Sequence, residues 1–202
     1  MSSIRIIAVD LQKDFTAEGG IWYQSRPCVQ FIKDTFVPFL AEKNIKIAEI
    51  ITDYRLPHTR DDINGCVPGT QGFISEIPDD LRTCVWIKSM NSPVWTRENI
   101  GAPDKEPGMP YQDPEAFTEW LHSTIGAPGE TEVVLIGLAL DCCILCTAQE
   151  LSWRGYKVTV LSEAVDTESG NQEEKERLLN GPPLSNWAKS IHWKELEKML
   201  EA

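Results

Sequence analysis

Glu132–Leu161 reads EVVLIGLALDCCILCTAQELSWRGYKVTVL, and this stretch decides the fold class. Its opening, Glu132–Ile136, is a short β-branched apolar run, the pattern of a strand covered on both faces. Asp141–Trp153 reads as a helix and stops at Arg154-Gly155, with glycine where helices commonly end. Lys157–Leu161 returns to the strand pattern. A strand, a helix and a second strand in close succession form the unit from which parallel sheets are wound.

Outward from this unit the same grammar repeats. Ile4–Val9, Ile45–Thr52 and Thr83–Ile87 are further strand-like runs. Val29–Lys43 places Ile32, Phe36, Phe39 and Leu40 at helical spacing, and Pro38 inside it predicts a kink or a split. Pro114–Thr124 begins with Asp113 as N-cap and proline at the first helical position, and it ends before Gly126. Glu173–Leu179 and Trp193–Leu200 read as two more helices. The order β, α, β, loop, β, loop, α, β, α, β, α predicts an α/β sandwich with a mainly parallel sheet. The chain shows no internal repeat or linker, so residues 1–202 are read as one domain. Ser92–Pro114 is long and rich in proline and glycine, which predicts a lid over a site or an oligomerisation arm.

Composition narrows the function. Lys plus Arg number 19 against 31 Asp plus Glu, a net charge of −12 that argues against nucleic acid and anionic membrane surfaces as partners. The longest apolar run, Val133–Leu140, has eight residues, where a membrane span needs roughly 20. Met1-Ser2-Ser3-Ile4-Arg5 opens directly into a strand-like run, which predicts a cytoplasmic protein. In that compartment the six cysteines are expected as free thiols, mostly small buried hydrophobes. The partner expected is a small molecule, and seven tryptophans give apolar material for a homo-oligomer.

Parallel α/β sheets bind ligands beyond the carboxyl ends of their strands. Asp10 follows the first strand, Asp53 the second and Lys88 the third, while Asp141-Cys142-Cys143 follows the fourth and leads into a helix. An acid, a base and a thiol on one edge are the parts of nucleophilic acyl chemistry. The positive end of the helix dipole and a nearby lysine predict a lowered thiol pKa.

These residues resemble the isochorismatase-like cysteine hydrolases, a family that includes nicotinamidases and N-carbamoylsarcosine amidohydrolases. The likeness runs from Ile4 to about Asp166 through AVDLQKDF at Asp10, VWIK at Lys88, CVPGTQG at Cys66–Gly72, and GLALDCCILCTA followed by GYKVTVLSEA. It implies a three-layer fold, a catalytic triad of Asp10, Lys88 and Cys143, an oxyanion hole at the N–H groups of Ala139 and Cys143, and a cis peptide at Leu138–Ala139. The nucleophile is then Cys143 rather than Cys142. Metal-binding members use an Asp-x-His pair and a second histidine before the cysteine-valine of the middle motif. Here Asp53 is kept, but Arg55 and Gly65 stand at the two histidine positions, so neither a metal nor another cofactor is expected. His58 as a substitute would leave a poor ligand set.

The implied reaction is cleavage of a C–N bond in a small amide or N-carbamoyl compound through a thioester. Arg55 is expected either to bind a substrate carboxylate or to pair with Asp53. Arg60 and Arg97 are its possible neighbours, and Trp95, Trp22 and Tyr23 are candidate pocket walls. The alternatives are a nicotinamidase or a vinyl-ether hydrolase of the isochorismatase type, and outside hydrolysis a redox protein built on Cys143-Ile144-Leu145-Cys146. Structural zinc at Cys142, Cys143 and Cys146, with Cys66, fits the ligand geometry badly, because two of the cysteines are adjacent. A silent binding module on the same fold is the remaining alternative.

Overall fold

The computed structural model describes residues 3–58 and 62–201. Six parallel strands form the central sheet, in the order β3-β2-β1-β6-β7-β8. They are β1 (Ser3–Val9), β2 (Ile47–Thr52), β3 (Arg82–Lys88), β6 (Thr131–Leu138), β7 (Lys157–Asp166) and β8 (Lys189–Ile191). The remaining two strands, β4 (Trp95–Thr96) and β5 (Tyr111–Gln112), pair antiparallel outside this sheet.

Alternation along the strands builds two cores. In β1, Ile7 and Val9 face one side while Ile6 and Ala8 face the other, and in β6 Val133 and Leu135 alternate with Val134 and Ile136. One core is covered by α4 (Pro114–Ile125), α5 (Leu145–Trp153) and α6 (Gln172–Leu179), which contribute Phe117, Leu121, Leu151 and Leu178. The other is covered by α2 (Pro27–Phe31), α3 (Val37–Glu42) and α7 (Trp193–Glu201), which contribute Cys28, Leu40 and Leu196. The remaining helix, α1 (Lys13–Thr16), is a single turn after β1. The expected three-layer sandwich with a parallel sheet is therefore the fold observed. Among the described residues no helix is long and apolar enough to cross a membrane.

Two elements were not anticipated, and one expectation is met. The segment carrying Pro38 is split, into α2 and α3. A wider turn at Ile32–Phe36 joins α2 to α3, and the Val37 N–H bonds the Ile32 carbonyl five residues back. This shifted ladder leaves proline in the first turn of α3, where its missing N–H is not needed. Strand β8 was not anticipated, because three residues on a sheet edge, Lys189-Ser190-Ile191, carry too little alternation to read. The 92–114 excursion is closed at its base by β4 and β5, with the Asp113 N–H on the Val94 carbonyl at 2.8 Å.

The sheet brings the ends of β1, β2, β3 and β6 together. Asp10 leaves β1 with φ +49, the left-handed region that aspartate tolerates better than most residues, and its N–H bonds the Ile50 carbonyl at 2.9 Å. Gly137, at φ +114, lets β6 pass so close to β1 that a Cβ there would run into the Val9 carbonyl. The turn carrying Cys143 is thus drawn against Asp10.

Candidate active site

Cys143 lies in the wide turn Leu140–Ile144 that opens into α5, where the Ile144 N–H reaches back to the Ala139 carbonyl at 3.0 Å. Its Sγ is 3.4 Å from Lys88 Nζ, which also donates to Asp10 Oδ2 and Thr52 Oγ1, both at 2.8 Å. Lys88 and Asp10 are 0% and 1% exposed, so this is a fully buried ion pair beside a buried thiol. The second carboxylate oxygen, Asp10 Oδ1, is buried with no hydrogen-bond partner among the described residues. An acceptor left open next to a thiol is placed to receive a proton.

The electrostatics correct one expectation. The Cys143 pKa is raised, not lowered. Burial is the main cause, the Asp10 anion adds to it, and Lys88 opposes both without cancelling them. The helix-terminus effect expected from sequence loses to desolvation. Burial alone would depress Lys88, but Asp10, Cys143 and Tyr54 hold its pKa well above the ordinary lysine value. At neutral pH the resting state is an ammonium beside Asp10 and a neutral thiol.

Two groups that sequence reasoning did not single out complete this centre. Tyr54, 2% exposed, sets its hydroxyl 3.5 Å from Lys88 Nζ, 3.9 Å from Cys143 Sγ and 3.1 Å from Asn91 Oδ1. Asn91 Oδ1 also lies 3.8 Å from Cys143 Sγ. The only sequence signal for Tyr54 was its place one residue beyond Asp53 at the end of β2.

The pocket over Cys143 is small. Asp10, Leu138, Ala139, Cys142 and Cys143 form its floor, and Phe15, Trp22, Arg26 and Glu168 form its walls. The Leu138–Ala139 peptide is cis, as the resemblance implies. Phe15 and Trp22 stack at 5.2 Å with 18° between their planes, and the Trp22 ring meets the Tyr54 ring edge-on at 5.8 Å.

Residues 112–181 match the sequence profile of the isochorismatase domain. The isochorismatase-like hydrolase fold is the fold of this chain. Among solved structures, an isochorismatase family protein from Desulfovibrio vulgaris subsp. vulgaris str. Hildenborough superposes with a TM-score of 0.68 at 16% identity, covering 100% of both chains. The pyrazinamidase of Pyrococcus horikoshii in complex with zinc gives 0.63 at 21% identity, over 95% of this chain and 99% of that one. An N-carbamoylsarcosine amidase from Thermoplasma acidophilum gives 0.53 at 17% identity, over 94% of this chain and 96% of that one. No curated protein matches the sequence significantly.

A zinc-bound neighbour raises the question of a metal in this chain, and the residues at the two positions in question do not fit one. Arg55 takes both oxygens of Asp53, Nε on Oδ1 at 2.9 Å and Nη2 on Oδ2 at 2.7 Å. The Gly101 N–H adds a third bond to Oδ2 at 2.9 Å. Gly65, the second position in question, lies against the Trp22 indole, and a Cβ there would overlap the ring. Asp141, Cys142 and Glu168 do bring ligand atoms within 4.8 Å of one another. Asp141 Oδ1 is already bonded to the Glu168 N–H, and Cys142 Sγ lies 3.5 Å from Glu168 Oε2.

The remaining sequence candidates fall elsewhere. Arg55 is not on the Cys143 pocket. Beyond Asp53, its guanidinium bonds the carbonyls of Ala102, Lys105 and Asn99 at 2.9, 2.8 and 3.1 Å and ties down the 92–114 loop. Pairing with Asp53 is thus the arrangement observed, and substrate binding by Arg55 is not supported. Trp95 packs half-buried against the α4–α5 core, away from the pocket, because its strand pairs with β5. Tyr23 lines a separate groove, and Arg97 is buried with Nη1 on the Arg55 carbonyl at 2.6 Å. Arg60 lies outside the described residues. Of the candidate walls, Trp22 alone reaches the pocket. Arg26 and Phe15 were missed as pocket residues.

Proposed function

We propose that this chain is an amidohydrolase whose nucleophile is Cys143, acting on a small amide or N-carbamoyl compound. The observation that carries the reading is the Lys88–Asp10 ion pair buried against the Cys143 thiol, with Asp10 Oδ1 open. As the thiol attacks the carbonyl carbon, its proton passes to Asp10, and the S–C bond forms while the carbonyl oxygen becomes an oxyanion. The N–H groups of Ala139 and Cys143 hold that oxyanion. The C–N bond then breaks, and ammonia or an amine leaves with the proton from Asp10. Water attacks the thioester with Asp10 again as base. The C–S bond breaks, and the sulfur regains its proton. Lys88 keeps Asp10 in place and stabilises negative charge on sulfur throughout.

The raised thiol pKa supports this order of events. A thiol that stays protonated at rest needs a base in contact with it, and Asp10 is that base. A redox role for Cys143 and Cys146 would leave the Asp10–Lys88 pair without a task.

The deciding experiment is ammonia release from a panel of small amides, ureas and N-carbamoyl amino acids by the intact protein. Cys143→Ala is expected to abolish turnover, while Cys142→Ala keeps most of it. Turnover is expected to persist in a chelator, because the residues at positions 55 and 65 offer no metal site. Loss of activity in Cys142→Ala alone, or chelator-sensitive activity restored by zinc, would overturn the reading.

A further inference from the structure

Lys88 has three ammonium protons and four neighbours to receive them. Two protons go to Asp10 Oδ2 and Thr52 Oγ1, both at 2.8 Å. The third lies between the Cys143 sulfur at 3.4 Å and the Tyr54 hydroxyl at 3.5 Å. That hydroxyl is itself 3.9 Å from the sulfur, and it donates to Asn91 Oδ1 at 3.1 Å. Sulfur, ammonium and phenol therefore form a closed triangle, in which Tyr54 is the one neutral donor in reach of the sulfur.

Tyr54 is fixed in this place from several directions. Its backbone N–H and carbonyl both pair with Gly65 at 3.1 Å, its ring meets Trp22 edge-on, and Lys88 Nζ stands 5.3 Å from the ring centroid. Burial, with Cys143 and Asp10 adding to it, pushes the phenol well above its ordinary pKa, so the group keeps its proton at neutral pH. A neutral thiol asks little of such a neighbour. A thiolate in a dry interior needs donors, because an unpaired buried anion is costly. At rest the Tyr54 proton lies on Asn91 Oδ1. As charge gathers on sulfur, rotation about one C–O bond turns that proton to Sγ.

We propose that Tyr54 is a further catalytic residue, the second hydrogen-bond donor after Lys88 to the Cys143 sulfur as it becomes an anion. This rests on Cys143 as nucleophile. No covalent bond to Tyr54 breaks. The sulfur proton goes to Asp10, and the phenol keeps its own proton while its hydrogen bond moves from Asn91 Oδ1 to Sγ. The third Lys88 proton, shared at rest between phenol and thiol, then turns to sulfur as well.

Tyr54→Phe removes the hydroxyl and keeps the ring against Trp22 and Lys88. The probe is iodoacetamide, which forms an S–C bond and releases iodide. Its rate at Cys143 is followed by labelling the folded protein and weighing the Cys143 peptide by mass spectrometry. Alkylation in Tyr54→Phe is expected to be about 10- to 100-fold slower at pH 8, the scale of a hydrogen bond to a charged group. The variant then needs a pH about one to two units higher to match the wild-type rate. In turnover, kcat is expected to fall by the same factor with KM within about twofold, because the hydroxyl meets sulfur and not the substrate. An unchanged alkylation rate, or a loss carried by KM alone, overturns the proposal. If Tyr54→Phe fails to fold, Asn91→Ala decides. It removes the resting acceptor of the Tyr54 proton, so alkylation is expected to quicken about two- to fivefold, and a rate at or below the wild type overturns the exchange. Alkylation needs no substrate, so the two readings fail separately. Tyr54-dependent alkylation without Cys143-dependent turnover would keep Tyr54 as the donor to sulfur and remove the amidase. Turnover that needs Cys143, with alkylation indifferent to Tyr54, would do the reverse.

Discussion

Replacing Gly65 with alanine tests how the pocket wall is built. The Gly65 backbone pairs with Tyr54 through two 3.1 Å hydrogen bonds, and its open side faces the Trp22 indole. A methyl group there would sit inside the ~3.5 Å carbon–carbon contact distance by more than an ångström, so the ring has to move. Overpacking of this kind costs about 1–3 kcal/mol. A displaced ring also loses its stack on Phe15 and its edge contact with Tyr54, each worth about 0.5–1.5 kcal/mol. The expected total is about 2–6 kcal/mol, which for a chain of this length lowers Tm by roughly 4–24 °C. The assay is a double-mutant cycle by urea and thermal denaturation with Trp22→Leu. Once the ring is gone, Gly65→Ala is expected to cost under about 0.5 kcal/mol. An equal penalty in both backgrounds, or a wild-type penalty near zero, would refute the steric argument.

Two further outcomes follow from the buried charges. Lys88→Met leaves Asp10 buried without its cation, so turnover is expected to fall at least about 10²-fold and stability by about 3–5 kcal/mol at pH 8. The unpaired carboxyl is held more easily as the acid, so this deficit should shrink on going from pH 8 to pH 5, and a pH-independent deficit in urea unfolding would contradict the pairing. Cys28, Cys66 and Cys143 all have pKa values raised chiefly by burial. Above pH ~9 the unfolded chain loses these protons while the native state keeps them, so stability is full below that point and falls above it, by about 1.4 kcal/mol per pH unit for each thiol. Urea midpoints that stay flat between pH 8 and 10.5 would show that the thiols ionise freely in the folded protein.

What the sequence made legible is what local pattern controls. The apolar runs of β1 and β6 announced a sheet buried on both faces, and residues just past strand ends, Asp10, Lys88 and Cys143, lay where parallel sheets collect their chemistry. The pocket walls were less legible because they are tertiary. Arg26 sits before a proline in what reads as an ordinary surface turn, and only the packing of residues 167–168 and Phe15 against it makes it a buried cation. Arg55 was open between two partners on sequence grounds, and the return of the 92–114 loop settled it by supplying three carbonyls. The sign of the Cys143 shift depended on the depth of burial, which a helix-start position does not reveal. Two-residue strands and β8 are set by neighbours, not by their own periodicity.

The buried trio of Lys88, Asp10 and Cys143 has a consequence for how the protein tolerates a thiolate in a dry interior. At rest it contains one cation, one anion and one neutral group, and its sum is zero. In the proposed reaction, transfer of the sulfur proton to Asp10 would move the anion from oxygen to sulfur, and the sum would still be zero. The surrounding apolar medium meets a displacement of charge over a few ångströms, not the creation of a new ion, and Lys88 touches the anion at both ends of the move, at 2.8 Å from oxygen and 3.4 Å from sulfur. Depth of burial, which makes the free thiolate costly, thus leaves its formation beside this lysine nearly free of solvent reorganisation.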